Sequence, residues 1–484
     1  MPTAADRRLI LLFLAVVSAA ALLRPLAEPD EGRYGEAARE MVASGDWLLP
    51  RQSGEVYPDK PPGVYWLMAS AIAVLGPSAF AVRLPALLAL ALLALLLHRR
   101  ARSSLGEEAA TVAVLILLAE PLLLVLGQLA TLDMVLSALV CAGMLAGRRL
   151  LLEGGWRSAA FCGAALGGAF LVKGPVGPAL TLAVLLVTSL LERRAARALR
   201  LLHPALWLPL AAIGLPWYWA AAAAEPGLLD FWIGREVVGR LSSDVHARAQ
   251  PLWFFPALVA AISLPWLAGL LSAQRRGTVC GDPGERLFHA VWAFLPVLLF
   301  TLPQGKQPAY YAPAVPGLAL WLAAYWSAPA ARGARRWIAG SWLLLACGGL
   351  LYHLDPVRGR SEDGSSQALL AAGAADWRGA QLMSWSYGLS YRLGRTDLEV
   401  LGPTPKAWAY AAGQGEGPER SRNERAFARA VELLGGPEPA FVLVHEPLED
   451  GRNRTVLTGL LAAAGVEARQ LPARSEATLF VNRY

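Results

Sequence analysis

Long apolar runs separated by short arginine-bearing connections fill the first three quarters of the chain, and the pattern then changes. Eleven windows, roughly 9–27, 80–97, 110–127, 131–147, 158–172, 175–191, 201–222, 251–271, 287–303, 309–326 and 336–354, approach the length that a ~30 Å hydrocarbon core demands of a helix. Each is read as a membrane span. After about residue 355 the runs stop. There, 440–445 and 477–482 look like short strands, 423–435 and 454–464 have helical spacing, and 355–366 and 412–422 read as linker and loop. The expected fold class is an all-α polytopic membrane protein over 1–355, with a small soluble α/β domain over 356–484.

Two connections on the side opposite the arginine-rich loops are too long to be simple links: 28–79 and 223–250. The first contains an amphipathic stretch, 31–44, then Trp47 and a second helix candidate from Pro62 to Leu75 bearing Tyr65 and Trp66. Both helices are expected to lie along the membrane interface. No internal repeat is visible.

Composition agrees with a membrane protein: 55% of the 484 residues are hydrophobic, 17% are charged, and mean hydropathy is +0.42. The net charge of +7 could point to nucleic acid, anionic lipid or topology, and its distribution decides. Arg7/Arg8, Arg99/Arg100/Arg102, Arg148/Arg149/Arg157, Arg193/Arg194/Arg197/Arg200, Arg275/Arg276/Arg286 and Arg332/Arg335/Arg336 fall in alternate loops without exception. The positive-inside rule makes these loops cytoplasmic, with the N-terminus inside and the C-terminal domain outside. The basic excess is therefore a topology signal, and no nucleic-acid partner is expected. The first segment also resembles a signal peptide, but its retention is favoured because an acidic motif starts just beyond it. Cys141, Cys162, Cys280 and Cys347 indicate neither a disulfide framework nor a cysteine metal site.

Candidate chemistry gathers on the outer side. Residues 28–34 read Glu-Pro-Asp-Glu-Gly-Arg-Tyr, and the same loop later supplies Asp59-Lys60-Pro61-Pro62. Only four basic residues are lysines, Lys60, Lys173, Lys306 and Lys406, and the first three fall at outer mouths of the bundle. A lysine is a compact charge suited to a phosphate oxygen, although one at a helix end can equally snorkel or complement the helix dipole. Asp30 and Glu31 can cap or stabilise a helix start while being held rigidly for catalysis, and Asp133 at the start of the fourth span has the same two readings. In the 223–250 loop, Arg240 and His246 are candidate phosphate ligands, among charges that can simply be solvated. Tyr310 and Tyr311 follow Lys306 and could form an aromatic belt. Glu120, followed by Pro121 within the third span, should be neutral or paired, with Arg83 a candidate partner.

These residues resemble the GT-C superfamily of lipid-to-acceptor glycosyltransferases, specifically the aminoarabinose transferases of lipid A and the protein O-mannosyltransferase clan. The matches run in order: Pro29-Asp30-Glu31-Gly32-Arg33-Tyr34, Arg39-Glu40-Met41, Ser44-Gly45-Asp46-Trp47, Asp59-Lys60-Pro61-Pro62 with Tyr65-Trp66, Ala81-Val82-Arg83-Leu84-Pro85, and Thr131-Leu132-Asp133. Lys173-Gly174-Pro175, the Glu236–His246 loop with Gln250-Pro251, and Gly305-Lys306 with its tyrosines are similar too. The family often has Glu where this chain has Asp59, and often more spans.

The resemblance implies transfer of a sugar from undecaprenyl phosphate to lipid A or another envelope acceptor, with inversion, by a monomer in the bacterial inner membrane whose C-terminal domain is periplasmic. Asp30, with Asp133 and Glu31, would be catalytic; Lys60, Arg240, Lys306 and Lys173 would bind the donor phosphate; Arg33, Tyr34, Tyr310, Tyr311 and His246 would contact substrate. No cofactor is required, and Asp59, Asp133 and His246 are the candidate ligands for a divalent metal. The alternatives are a protein or glycan acceptor for the same chemistry, and a transporter of lipid-linked sugars, which the clustering of candidates at one face disfavours.

Overall fold

The computed structural model describes residues 24, 26–27, 30–52, 54–234, 249–266, 279–325, 369–371, 373–374, 376–382, 391, 393, 398–401, 419–445, 452–471 and 477–482. Its principal helices are α1 (Asp30–Ser44), α2 (Gly63–Leu75), α3 (Ala79–Leu105), α4 (Glu107–Ala119), α5 (Pro121–Leu126), α6 (Leu132–Glu153), α7 (Trp156–Lys173), α8 (Val176–Leu191), α9 (Pro204–Gly214), α10 (Pro216–Ala224), α11 (Phe254–Ser263), α12 (Pro283–Thr301), α13 (Val315–Ala323), α14 (Glu419–Gly435) and α15 (Arg452–Ala463). Its strands are β1 (Arg51–Gln52), β2 (Glu55–Val56), β3 (Arg378–Leu382), β4 (Glu399–Leu401), β5 (Ala440–His445), β6 (Arg469–Leu471) and β7 (Ala477–Val481). Among the described residues, three stretches, Ala79–Leu105, Leu132–Glu153 and Pro204–Ala224, are long and apolar enough to cross a membrane. The first expected span and the last lie outside the described residues, Arg24 and two neighbours excepted.

The chain divides into two compact units. One comprises Met1–Leu22, Lys60–Val64 and Arg83–Tyr352; the other comprises Leu23–Asp59, Tyr65–Val82 and His353–Tyr484.

In the first unit α7 packs closely on α6 and α9. Gly163 and Gly167, four residues apart on one face of α7, let the α9 backbone approach. A Cβ on Gly163 would stand 1.9 Å from the Leu206 carbonyl oxygen, and one on Gly167 would stand 3.0 Å from that of Leu210. Such spacing brings helices together where lipid supplies no hydrophobic drive for association. At one end of the bundle, Arg148 of α6 reaches Glu192 through Nη2 (2.6 Å) and Glu285 of α12 through Nε (3.1 Å), and Arg100 of α3 bonds the other Glu285 oxygen. Arg148 is almost completely buried, so these carboxylates offset a desolvation cost of several kcal/mol.

The third expected span is not one helix. Glu120 adopts an extended conformation and ends α4; its Oε2 then accepts the N–H groups of Leu122 (2.9 Å) and Leu123 (3.3 Å), capping α5. Pro121 explains the break, since its ring disfavours a helical residue before it and suits the first turn after it. The candidate partner Arg83 is not used: the other Glu120 oxygen is buried without a hydrogen-bond partner. The seventh expected span is interrupted only at Leu215, before Pro216; Leu215 keeps helical dihedrals, so Pro204–Ala224 runs on as one apolar stretch.

In the second unit a five-stranded sheet has the order β4-β3-β5-β7-β6, with β3 parallel to β4 and β5, and β7 antiparallel to β5 and β6. The central strand β5 is apolar on both faces: Val442 and Val444 pack with Leu434, Leu457 and Phe480, while Phe441 and Leu443 pack with Leu369 and Leu479. An α/β pattern was expected here, although β3, β4 and β6 were not.

The same unit contains α1, which departs from expectation. Instead of presenting one face to an interface, α1 is buried from Glu31 through Met41. A helix this polar requires partners for its buried polar side chains. Arg39 donates to both oxygens of Glu36 (2.7 and 2.8 Å), and Glu40 accepts the Gly54 N–H (3.1 Å) from the unpredicted β1–β2 hairpin. Burial pushes the Glu36 carboxyl up to about 8, in spite of Arg39.

Two outcomes follow from this packing. Gly163→Ala should destabilise the protein by about 1–3 kcal/mol or more, because its obstacle is backbone. Gly168→Ala, whose Cβ would meet only the flexible Leu139 side chain at 3.3 Å, should cost less; equal melting temperatures in detergent would contradict the close contact. Between the ordinary Glu value of 4.5 and about 8, folded Glu36 retains a proton that the unfolded chain has released. Stability contributed by Glu36 therefore falls as pH rises through that window. Glu36→Gln should flatten this part of the melting-temperature profile between pH 5 and 8.

Candidate functional site

The start of α1 builds the first group of candidate residues. The Glu31 N–H bonds the Ala27 carbonyl (3.0 Å), the Ala27 N–H returns to Glu31 Oε2 (2.9 Å), and Arg24 pairs with that oxygen at 2.7 Å. Glu31 is thereby committed to closing the first turn. Asp30 is not a backbone cap: its carboxylate, 52% exposed, is paired with Arg33 one turn on.

Arg33 is the buried centre of this group. Its guanidinium lies 5.1 Å from the Tyr34 ring centroid and 5.9 Å from that of Tyr57. Tyr65 packs beside both rings, at 5.7 and 6.2 Å between centroids. The Gln52 amide donates to the Arg33 carbonyl (2.9 Å), fixing the hairpin to the helix. Burial alone would weaken proton binding by Arg33, but Tyr57, Tyr34, Asp30 and Asp59 more than reverse it and hold the guanidinium well above its ordinary value. Burial, assisted by Asp59, pushes the Tyr57 hydroxyl well up, so it remains a hydrogen-bond donor at neutral pH. Among the described residues, Arg33 Nε is buried with no hydrogen-bond partner. Such a group offers one fixed positive charge, aromatic faces and one accessible carboxylate, suited to a polar substrate that carries negative charge.

The other unit brings together Asp133, Lys173 and Tyr310. Asp133 lies in the first turn of α6 and Lys173 ends α7; Nζ and Oδ1 are 2.5 Å apart, with Nζ 5.0 Å from the Tyr310 ring centroid. Tyr310 belongs to a 3-10 segment, Pro308–Ala314, pinned to α12 by two bonds. Tyr311 donates to the Ala293 carbonyl (3.0 Å), and the Trp292 indole to that of Pro313 (2.9 Å). Tyr311 is thus a buried anchor. Lys306 is also buried, donating to the carbonyls of Gln250 (2.8 Å) and Gln304 (3.4 Å).

Asp59 and Lys60 are both buried. Arg240 and His246 lie outside the described residues. Among the described residues no group of three His, Cys, Asp or Glu side chains converges to hold a metal. Sequence reasoning missed Tyr57 and Gln52; the signal for Tyr57 was its place two residues before Asp59, in a loop already singled out for charge.

Residues 59–219 match the family described as dolichyl-phosphate-mannose-protein mannosyltransferase. An undecaprenyl phosphate-alpha-4-amino-4-deoxy-L-arabinose arabinosyl transferase from Edwardsiella ictaluri is 34% identical over 310 residues, covering 62% of this chain and 56% of that protein. A second such enzyme, from Proteus mirabilis, is 32% identical over 317 residues with the same coverage. The chain thus spans little more than half the length of these curated relatives. The crystal structure of ArnT from Cupriavidus metallidurans bound to undecaprenyl phosphate superimposes with a TM-score of 0.79 at 22% identity, over 98% of this chain and 97% of that one. Its unliganded form gives 0.77 at 21% identity, over 99% of each chain. The chain is therefore similar in sequence to the aminoarabinose transferases over part of their length and has the fold of ArnT from Cupriavidus metallidurans.

Proposed function

We propose that this protein transfers aminoarabinose or a related sugar from undecaprenyl phosphate to lipid A or another envelope acceptor, with inversion at the anomeric carbon. The reaction takes place at the periplasmic face of the bacterial inner membrane, with the N-terminus cytoplasmic and the C-terminal domain periplasmic. One observation carries the reading: a half-exposed carboxylate, Asp30, is held by a buried guanidinium in the same loop that ends at the buried Lys60.

The bond from the anomeric carbon to the carrier phosphate breaks with its electron pair going to the phosphate, and the acceptor oxygen forms the new bond from the opposite face. The leaving group is already good, so the main requirement is positive charge beside it. Lys60 and Arg240 supply that charge. Lys306 assists with the one N–H not given to backbone carbonyls, and Lys173 is held in reserve by Asp133. Arg33 and Tyr34 contact substrate, as do His246 and Tyr310. If the acceptor is a hydroxyl, its proton passes to Asp30. If it is a phosphate oxygen, no proton moves and Asp30 instead stabilises positive charge developing on the sugar. The mannosyltransferase family match also supports protein hydroxyls as acceptors.

Mass spectrometry of lipid A, other glycolipids and envelope proteins from cells with and without the gene separates these acceptors. Asp30→Asn should lower the transfer rate by roughly 10²–10⁴-fold; full complementation by this variant would remove Asp30 from the chemistry. Lys60→Gln should weaken use of the phosphate-linked donor, and unchanged donor kinetics would contradict its phosphate role.

A further inference from the structure

One residue of the C-terminal part of the chain is built into the surroundings of α1. Tyr391 is 4% exposed, and its hydroxyl donates to the Ser78 carbonyl at 3.0 Å. Ser78 starts α3: its Oγ accepts the Ala81 N–H (3.2 Å) and its carbonyl also accepts the Val82 N–H (3.2 Å). The Tyr391 ring lies against α1 at Gly35, where a Cβ would stand 3.4 Å from its Cε2, 3.4 Å from Val82 and 3.3 Å from Leu26. One side chain from the C-terminal region therefore spans α1 and the entry to α3.

We propose that Tyr391 is a positioning residue through which the C-terminal domain fixes α1, and with it Asp30, Arg33 and Tyr34. This rests on the transferase reading above. Gly35 follows Tyr34 directly and lies just over one turn from Asp30, so movement at the ring is passed along a rigid helix to the carboxylate. Misplacement of a reacting group by about 1 Å costs on the order of 10²-fold in rate. The Ser78 bond sets the ring's height against α1, and the ring sets the helix.

The test uses the 484-residue protein with Tyr391→Phe, Tyr391→Ala and, as a control for loosening of the C-terminal sheet, Val442→Ala, which opens a core cluster that includes no α1 residue. Tyr391→Ala should lower kcat about tenfold or more while leaving donor KM within about threefold. It should also speed amide exchange across residues 31–44 by roughly tenfold through local opening. Tyr391→Phe, which removes only the Ser78 bond, should fall between this variant and wild type in both readouts. Val442→Ala should lower the melting temperature yet leave kcat and α1 exchange at wild-type values below the transition. Wild-type exchange in Tyr391→Ala, or an equal loss of kcat in Val442→Ala, would overturn the positioning role. Because exchange is measured without substrate, it decides the role of Tyr391 even if wild-type protein proves to have no transferase activity.

Discussion

Charge enclosed in an apolar chain is tolerable only where an opposite charge or a hydrogen-bonding group stands against it, and that constraint organises the region around α1. Glu31 meets Arg24, Asp30 meets Arg33, Glu36 meets Arg39, and Glu40 meets the hairpin backbone. Asp30–Arg33 and Glu36–Arg39 lie within α1 and move with it, so a displacement by one residue would break the contacts of Glu31 with Arg24 and of Glu40 with Gly54. Those two contacts, with the Gln52 bond to the Arg33 carbonyl, tie the helix to the segment before it and to the hairpin. Asp30 differs from its neighbours because it is paired and yet open to solvent, the condition under which a carboxylate can be both aimed and reached.

The second group depends on a different force. Lys173 ends a helix placed by backbone-to-backbone contact with α9, and Asp133 starts the helix beside it. Tyr310 lies on a segment whose carbonyl and hydroxyl are tied to α12 through Trp292 and Tyr311. Close packing thus determines where the Asp133–Lys173 pair forms. Its geometry should respond to steric changes at Gly163 more than to changes of charge at the surface.

Much of this was legible in the sequence, for identifiable reasons. The amphipathic stretch 31–44, the helix from Pro62 and the strand at 440–445 were found because their periodicity is local. Asp30, Lys60, Asp133 and Lys173 stood out because charge near a bilayer is costly and therefore informative. What escaped notice depends on distant partners. The burial of α1 cannot be read from a helix of this polarity, since it requires the hairpin and Tyr391 from far along the chain. The strands β3, β4 and β6 are short, and their partners in the sheet, not their own alternation, define them. Pro121 signalled a helix break, but the capping role of Glu120 needed the backbone to show it.

Arg100 and Arg148 take part in two events at different times. While the chain is being synthesised, each precedes the carboxylates that it bonds in the folded protein. Glu285, which bonds both, lies 185 and 137 residues further along, and Glu192, the second partner of Arg148, lies 44 residues beyond it. Once α12 arrives, the two arginines are held in a buried ion-pair cluster that ties α3, α6 and α12 together, and moving any one of these helices would require breaking it.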